Sequence, residues 1–300
     1  MQKRQKKRIS ALIYLCVLSM LALVLALPVS AERVSVTPSK VTYTNVNSFP
    51  EIPVYLDNGT RLPIDGRLVS STTYVPLRAF FSALLPEAKL TYSAKTRTAS
   101  IDGEGLTLSA SDGSNILYAN ERCLYSDMPI RILSDGTMYL PIRLLAKTLS
   151  LEVVWHNETR SVSLKGDAKP LLSGSLYYDA DEVNWLARII SAEARGEPFI
   201  GQVAVGNVVQ NRVRHKDFPN TIYGVIFDKR YGVVQFSPVS DGSIWRTPHK
   251  TSVVAAKVCL EGYTVSERIL FFYAPSMVSY TWIAYNRPYA FTIAGHRFYN

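Results

Sequence analysis

One glutamate in this 300-residue chain is placed where a carboxyl group can do chemistry. Asp179-Ala180-Asp181-Glu182 has the D-x-x-E spacing of a capping box, in which side chains satisfy the free amides of a first helical turn. A helix is therefore predicted to start there. Val183, Leu186, Ala187 and Ile190 follow at i, i+3, i+4 and i+7, which makes one apolar stripe. Three residues on, Glu193 falls on the same stripe, above Ile189 and Ile190. Gly196 is then expected to end the helix, and Pro198 suits the first turn of the next. A carboxyl held where core meets cleft loses solvation, so its pKa rises and it can keep a proton near neutral pH. Cleavage of a glycosidic bond needs such an acid at the leaving oxygen. The placement suits a structural glutamate paired with an arginine or a helix terminus equally well. Glu197, beyond the helix end, is expected to be solvated.

Other chemistry is harder to assemble. His156, His215, His249 and His296 form no HExxH or other close ligand spacing, so neither a catalytic metal nor a cofactor is expected. Asp241 is the best second carboxylate, but Ser240-Asp241-Gly242-Ser243 reads first as a turn. Cys123 and Cys259 lie in different halves of the chain and read as small buried hydrophobes rather than a disulfide.

The elements around Glu193 divide the chain. Residues 1–31 read as a signal peptide: five cations between Lys3 and Arg8, an apolar run from Ala11 to Leu27, then small residues at Val29-Ser30-Ala31. Cleavage there leaves 269 residues, enough for two domains, outside the cytosol. If the segment is retained, it is the protein's one contact with a membrane. Five of the nine excess positive charges go with it; the remaining +4 suits an anionic wall polymer and is too diffuse for nucleic acid.

Residues 40–165 have strand chemistry punctuated by turn signals such as Asp57-Asn58-Gly59 and Asp135-Gly136. They also contain a repeat. Tyr74-Val75-Pro76-Leu77-Arg78 leads through an apolar stretch to Leu90-Thr91-Tyr92 and Thr96 to Ile101. Tyr139-Leu140-Pro141-Ile142-Arg143 leads likewise to Val153-Val154-Trp155 and Thr159 to Leu164. Each unit is predicted as strand, Pro-started short helix and hairpin, with Arg78 and Arg143 pairing or capping inside their own unit. These blocks resemble the copper amine oxidase N-terminal-like domain, which implies adhesion or positioning and no copper chemistry. Residues 166–178 are expected to be a linker and 179–300 a catalytic domain.

The stretch Trp185-Leu186-Ala187-Arg188-Ile189-Ile190-Ser191-Ala192-Glu193-Ala194-Arg195-Gly196-Glu197-Pro198 resembles the spore cortex-lytic cell wall hydrolase family. So do Val208 to Val213, Phe218 to Ile226, Gln235 to Gly242, Phe272-Tyr273-Ala274-Pro275 and Gly295-His296-Arg297-Phe298. The resemblance spans about residues 182–300. It implies an α+β protein: a mostly helical, lysozyme-like catalytic domain preceded by a small repeat-built α+β domain. It also implies lytic transglycosylase chemistry on peptidoglycan, with Glu193 as the catalytic acid. One glutamate protonates the bond between N-acetylmuramic acid and N-acetylglucosamine, then acts as base on the sugar's own 6-hydroxyl, closing a 1,6-anhydro ring.

Gln235, Phe236 and Ser237 are expected across the cleft from Glu193, holding the muramoyl N-acetyl group. Tyr273, Trp282 and Tyr285 are suited to stacking on sugar faces or to the core. His296 reads as structural, and Gln202 and Asn211 could face cleft or core. The chain departs from the family pattern at Ala274, at the insertion-like Lys229 to Val234, and in its N-terminal half. That last departure bears on whether the wall is spore cortex. The protein is expected to be a monomer in the cell wall or spore envelope. Against glycan cleavage stand a zinc amidase, which the scattered histidines do not support, and a wall-binding protein that has lost activity, which the intact Ser191 to Glu197 argues against.

Overall fold

The computed structural model describes residues 44–278 and 281–300. The expected signal peptide lies outside the described residues. Among those residues, no helix is long and apolar enough to cross a membrane.

The first half is β-rich. β1 (Glu51–Leu56) and β2 (Arg61–Val69) form a hairpin, and β3 (Thr72–Pro76) pairs antiparallel with β2. The tip of the first hairpin uses Gly59 at φ 82, a backbone conformation open to glycine without strain. Leu62 and Ile64 alternate with exposed neighbours along β2, so a single face of the strand is apolar and buried. β3 runs straight into α1 (Leu77–Leu84), whose N-cap is Pro76 and which buries Leu77, Phe80 and Phe81. A meander follows: β4 (Lys89–Ser93), β5 (Thr98–Gly103), β6 (Leu106–Ser111), β7 (Ile116–Ala119) and β8 (Arg122–Tyr125), all antiparallel. After the short β9 (Arg131–Ile132), β10 (Met138–Pro141) enters α2 (Ile142–Thr148) through Pro141, and β11 (Glu152–His156) and β12 (Ser161–Lys165) form the second hairpin.

The two repeat units thus form as strand, Pro-capped helix and hairpin. They meet head-on: β3 and β10 pair antiparallel, with Leu140 opposite Val75 and Pro141 opposite Tyr74. Their hairpins then diverge. The second hairpin joins a seven-stranded sheet of order β11-β12-β1-β2-β3-β10-β9, in which β12 lies parallel to β1. The hairpin of the first unit, β4–β5, instead starts the five-stranded meander, because β5 pairs with the following β6.

The second half is helical. α3 (Gly174–Tyr177) and α4 (Ala180–Ala194) precede α5 (Phe199–Arg214), α6 (Ile222–Ile226), α7 (Ser237–Asp241) and α8 (Lys250–Leu260). Asp179 caps α4, its side chain accepting from the amides of Asp181 and Glu182 at 2.9 and 3.0 Å. α4 ends at Ala194 and Pro198 is the N-cap of α5, so the two helices meet at a corner. α4, α5 and α8 share one apolar cluster containing Leu186, Ile190, Val203, Val208, Ala256 and Cys259. At its centre, a Cβ on Gly206 would meet Cys259 Sγ at 2.6 Å and Ile190 Cδ1 at 2.9 Å. Gly206→Ala is therefore expected to cost about 1–3 kcal/mol by overpacking, despite alanine's better helix propensity. A urea midpoint equal to wild type would show that α8 can move aside. The C-terminus adds β13 (Phe271–Tyr273), α9 (Trp282–Asn286), β14 (Tyr289–Ile293) and β15 (His296–Tyr299), whose strands make a three-stranded sheet of order β13-β15-β14 that the sequence reading did not foresee.

The halves are joined by more than residues 166–178. Cys123 of β8 belongs to the helical cluster, and Tyr125 stacks on Phe199 at 5.8 Å and meets Tyr263 edge-on at 4.4 Å. At the end of α8, buried Glu261 accepts Arg122 Nε at 2.6 Å, Arg122 Nη2 at 2.7 Å and the Tyr178 hydroxyl at 2.7 Å, with Lys147 Nζ 3.0 Å away. The segment expected as a linker lies against β7 and β8. Asn120 accepts the Gly174 amide at 2.7 Å and its side chain donates to Leu171 O at 2.9 Å. Cys123 and Cys259 are free and buried.

Candidate active site

α4 carries Glu193 in its last turn, on the side of buried Ile189 and Ile190. Two side chains of the same helix fix what stands beside it. Arg188 Nη1 donates to Arg246 O at 3.0 Å, and Ser191 Oγ accepts the His249 amide at 3.0 Å. Together they hold the segment between α7 and α8 against α4. Trp185 packs edge-on against Tyr223, Phe227 and Trp245 at 5.2 to 5.5 Å on the same helix.

The Glu193 carboxyl is half-buried and has no hydrogen-bond or ion-pair partner among the described residues. Burial pushes its pKa up from 4.5 to about 7; the nearby Asp241 charge adds to the rise, and the Arg212 guanidinium opposes it. An acid in that state can give up a proton at neutral pH and take one back. Asp241 ends α7 and is exposed; hydrogen bonds from the Ser243 hydroxyl and amide hold its carboxyl below the usual range. The turn expected at Ser240 to Ser243 is corrected: Ser240 and Asp241 close α7 and the chain turns only at Gly242, where Ser243 N donates to Asp241 at 2.7 Å; the Asp241 charge also reaches Glu193.

Arg212, on α5, was not singled out from the sequence. It is buried, 5% exposed, and its Nε donates to Leu270 O at 2.7 Å. Its guanidinium lies 5.0 Å from the Phe218 and Phe236 rings and 5.3 Å from Phe271. Burial pulls its pKa down to about 10, so it stays charged at neutral pH. The signal was present: Arg212 follows Val205, Val208 and Val209 at the spacing of their own apolar face, an arginine where a hydrophobe belongs.

The expected wall across the cleft divides. Phe236 is buried, 3% exposed, between Arg212 and Phe272, so its ring is core. Gln235 is half-buried and Ser237 exposed at the start of α7, the helix that brings Asp241 close. Tyr273 stacks on Tyr299 at 5.8 Å, while Trp282 is 54% exposed with the Arg287 guanidinium 5.0 Å from its ring. Gln202 and Asn211 both face the core. Gln202 bridges Glu197 O and Ser252 Oγ, and Asn211 donates to Ser266 O and Ile269 O. The solvated Glu197 of the sequence reading is corrected. Its Oε2 accepts the Gly295 amide at 3.0 Å and its Oε1 lies 3.6 Å from His296 Nδ1, because the β14–β15 turn folds back over the corner between α4 and α5.

Comparison with known proteins places both halves. Residues 196–299 match the family described as Cell Wall Hydrolase, a segment that begins three residues after Glu193, and residues 58–164 match the Copper amine oxidase N-terminal domain. The spore cortex-lytic enzyme of Bacillus cereus is 36% identical over 121 residues, 40% of this chain and 45% of the relative. The spore cortex-lytic enzyme of Bacillus subtilis is 35% identical over 121 residues, 40% of this chain and 38% of the relative. The chain thus spans less than half the length of these curated relatives. The solved catalytic domain of the germination-specific lytic transglycosylase SleB from Bacillus anthracis is 35% identical, with a TM-score of 0.38, and is covered completely by 43% of this chain. The chain thus carries a segment that matches the Cell Wall Hydrolase family over residues 196–299, behind one that matches the Copper amine oxidase N-terminal domain over residues 58–164.

Proposed function

We propose that this protein cleaves the glycan strands of peptidoglycan between N-acetylmuramic acid and N-acetylglucosamine, as a lytic transglycosylase with Glu193 as general acid and then base. The observation that carries the reading is the unpartnered, half-buried Glu193 carboxyl with its pKa near 7. It donates a proton to the leaving oxygen, then accepts the proton of the 6-hydroxyl as that oxygen closes on the anomeric carbon. Protons and atoms balance without water. The reading also takes residues 1–31 as the export signal, residues 166–178 as the junction between the two domains, and spore cortex opened at germination as the wall in question. Gln235 and Ser237, at the approach to α7, and the exposed Trp282 would contact the sugars.

The test is mass spectrometry of fragments released from purified peptidoglycan. Anhydro-muramoyl ends are expected from wild type and not from Glu193→Gln; reducing ends that take up labelled water would overturn the transglycosylase reading. A pH profile gives a second check. The acid must start protonated, so turnover is expected to fall as pH rises through about 7. Asp241 raises that pKa, so Asp241→Asn is expected to move the alkaline limb to lower pH; an unmoved limb would remove Asp241 from the site.

A further inference from the structure

A cleft of about 1050 Å³ opens on the repeat-built half, and Glu193 does not line it. Its walls carry Arg143 of α2, Trp155 of β11, Asn157 and Arg160 of the β11–β12 turn, and Tyr263 from the helical half. Two charged groups in it are already engaged. Lys147 donates to Glu261 O at 2.9 Å and pairs with its carboxylate, and Asp127 accepts the Tyr263 hydroxyl. Two are not. Arg143 makes a single hydrogen bond, to Val153 O at 3.3 Å, and neither Arg143 nor Arg160 has a carboxylate partner among the described residues. The pairing expected for Arg143 inside its own unit therefore uses one N–H of five and leaves the charge uncompensated.

We infer that this cleft binds a carboxylate-bearing glycopeptide of the wall, outside the site of cleavage. Guanidinium groups take carboxylates through paired N–H bonds. Trp155, 37% exposed, offers an apolar ring face of the size of a sugar. Asn157 and Ser126, also lining the cleft, supply the donors and acceptors that hydroxyl and acetamido groups need. A polyphosphate with one charge per unit would call for a longer stripe of cations, whereas two free guanidiniums beside an indole fit a sugar with a short acidic peptide. The identity of the polymer rests on the peptidoglycan reading above. Because Arg122, Lys147 and Tyr178 fasten this half to Glu261 of the other, a strand held here is held at a fixed distance from Glu193.

The test is sedimentation of the full chain carrying Glu193→Gln with insoluble peptidoglycan stripped of phosphate polymers, compared with the same chain also carrying Arg160→Gln and Trp155→Ala. Affinity is expected to fall by about ten-fold or more, the scale of losing one charge-assisted contact, with the thermal midpoint unchanged. Arg143→Gln alone, at an exposed position, is expected to weaken binding in the same direction. In the otherwise active chain, Arg160→Gln with Trp155→Ala should slow digestion of insoluble walls and leave digestion of short soluble glycans unchanged. Equal binding by all variants overturns the proposal. So does binding that requires the phosphate polymer. If no variant digests walls while the affinity difference persists, the cleavage reading fails and the cleft stands; if walls are digested with no affinity difference, the reverse holds.

Discussion

Glu193→Gln is expected to lower the rate of wall digestion by about three to four orders of magnitude, the contribution of a positioned acid and base, and to make the protein more stable at alkaline pH. The second half follows from the first. The folded state holds the Glu193 proton up to about pH 7, while the unfolded chain releases it near 4.5. Between those values the folded state binds more protons, so the group's contribution becomes increasingly unfavourable as pH rises. Above pH 7 the penalty is complete, and a shift of that size corresponds to about 3 kcal/mol. Glutamine, which resembles the protonated acid and does not titrate, escapes it. The variant should therefore unfold at higher urea than wild type at pH 8, and the gap should close as pH falls below 4.5. A variant that loses activity and is equally stable at both pH values would mean that Glu193 is not an acid held against its solvation. Retained activity would move the chemistry to another carboxyl group.

Glu261→Ala carries the largest expected loss of stability. Glu261 has 1% of its side chain exposed and accepts from Arg122, itself 8% exposed, from the Tyr178 hydroxyl and from Lys147. Burial alone would raise the Glu261 pKa, but these hydrogen bonds together pull it below the usual range. Removing the carboxylate leaves a buried guanidinium without a carboxylate partner among the described residues, compensated by the Tyr177 ring 3.4 Å from its centre. Loss of one partner of a buried pair costs about 3–5 kcal/mol. Denaturation of the full chain reads this directly. Glu261→Ala combined with Arg122→Met should recover part of the loss, since the orphaned charge goes with it. Stability within about 0.5 kcal/mol of wild type for Glu261→Ala would show that water reaches Arg122 and that the halves are held by apolar contacts instead. The pH sign is opposite to that of Glu193. A depressed carboxylate stabilises above its unfolded pKa, so this contribution is lost on acidification, as pH falls through the folded value.

The consequence of that junction for Glu193 is geometric. Glu261 follows α8, which packs on α4 and α5, and α4 carries Glu193. The same carboxylate receives Arg122 from β8 and Lys147 from α2. The repeat-built half is thus tied to the helix layer that presents the acid.

Much of this was legible in the chain because the interactions that decide it are local. The start of α4 follows from one side chain reaching amides two and three residues away, and the inward face of Glu193 follows from spacing within three turns. The repeat likewise announced its strand, Pro-capped helix and hairpin, since each element forms within its own unit. What tertiary structure alone decided depends on groups distant in sequence. Nothing in two equivalent hairpins says that one will pair with β1 and the other with β6; the neighbour that completes each ladder is chosen by the rest of the sheet. Arg122 and Glu261 are 139 residues apart, so no spacing could pair them. Glu197 looked solvated because Gly295 and His296 reach it from the far end of the chain. The pKa of Glu193 has the same origin. Periodicity shows which way a side chain points, but desolvation, the largest cause here, is the sum of everything packed around it, and the smaller, opposed contributions of Asp241 and Arg212 come from two other helices.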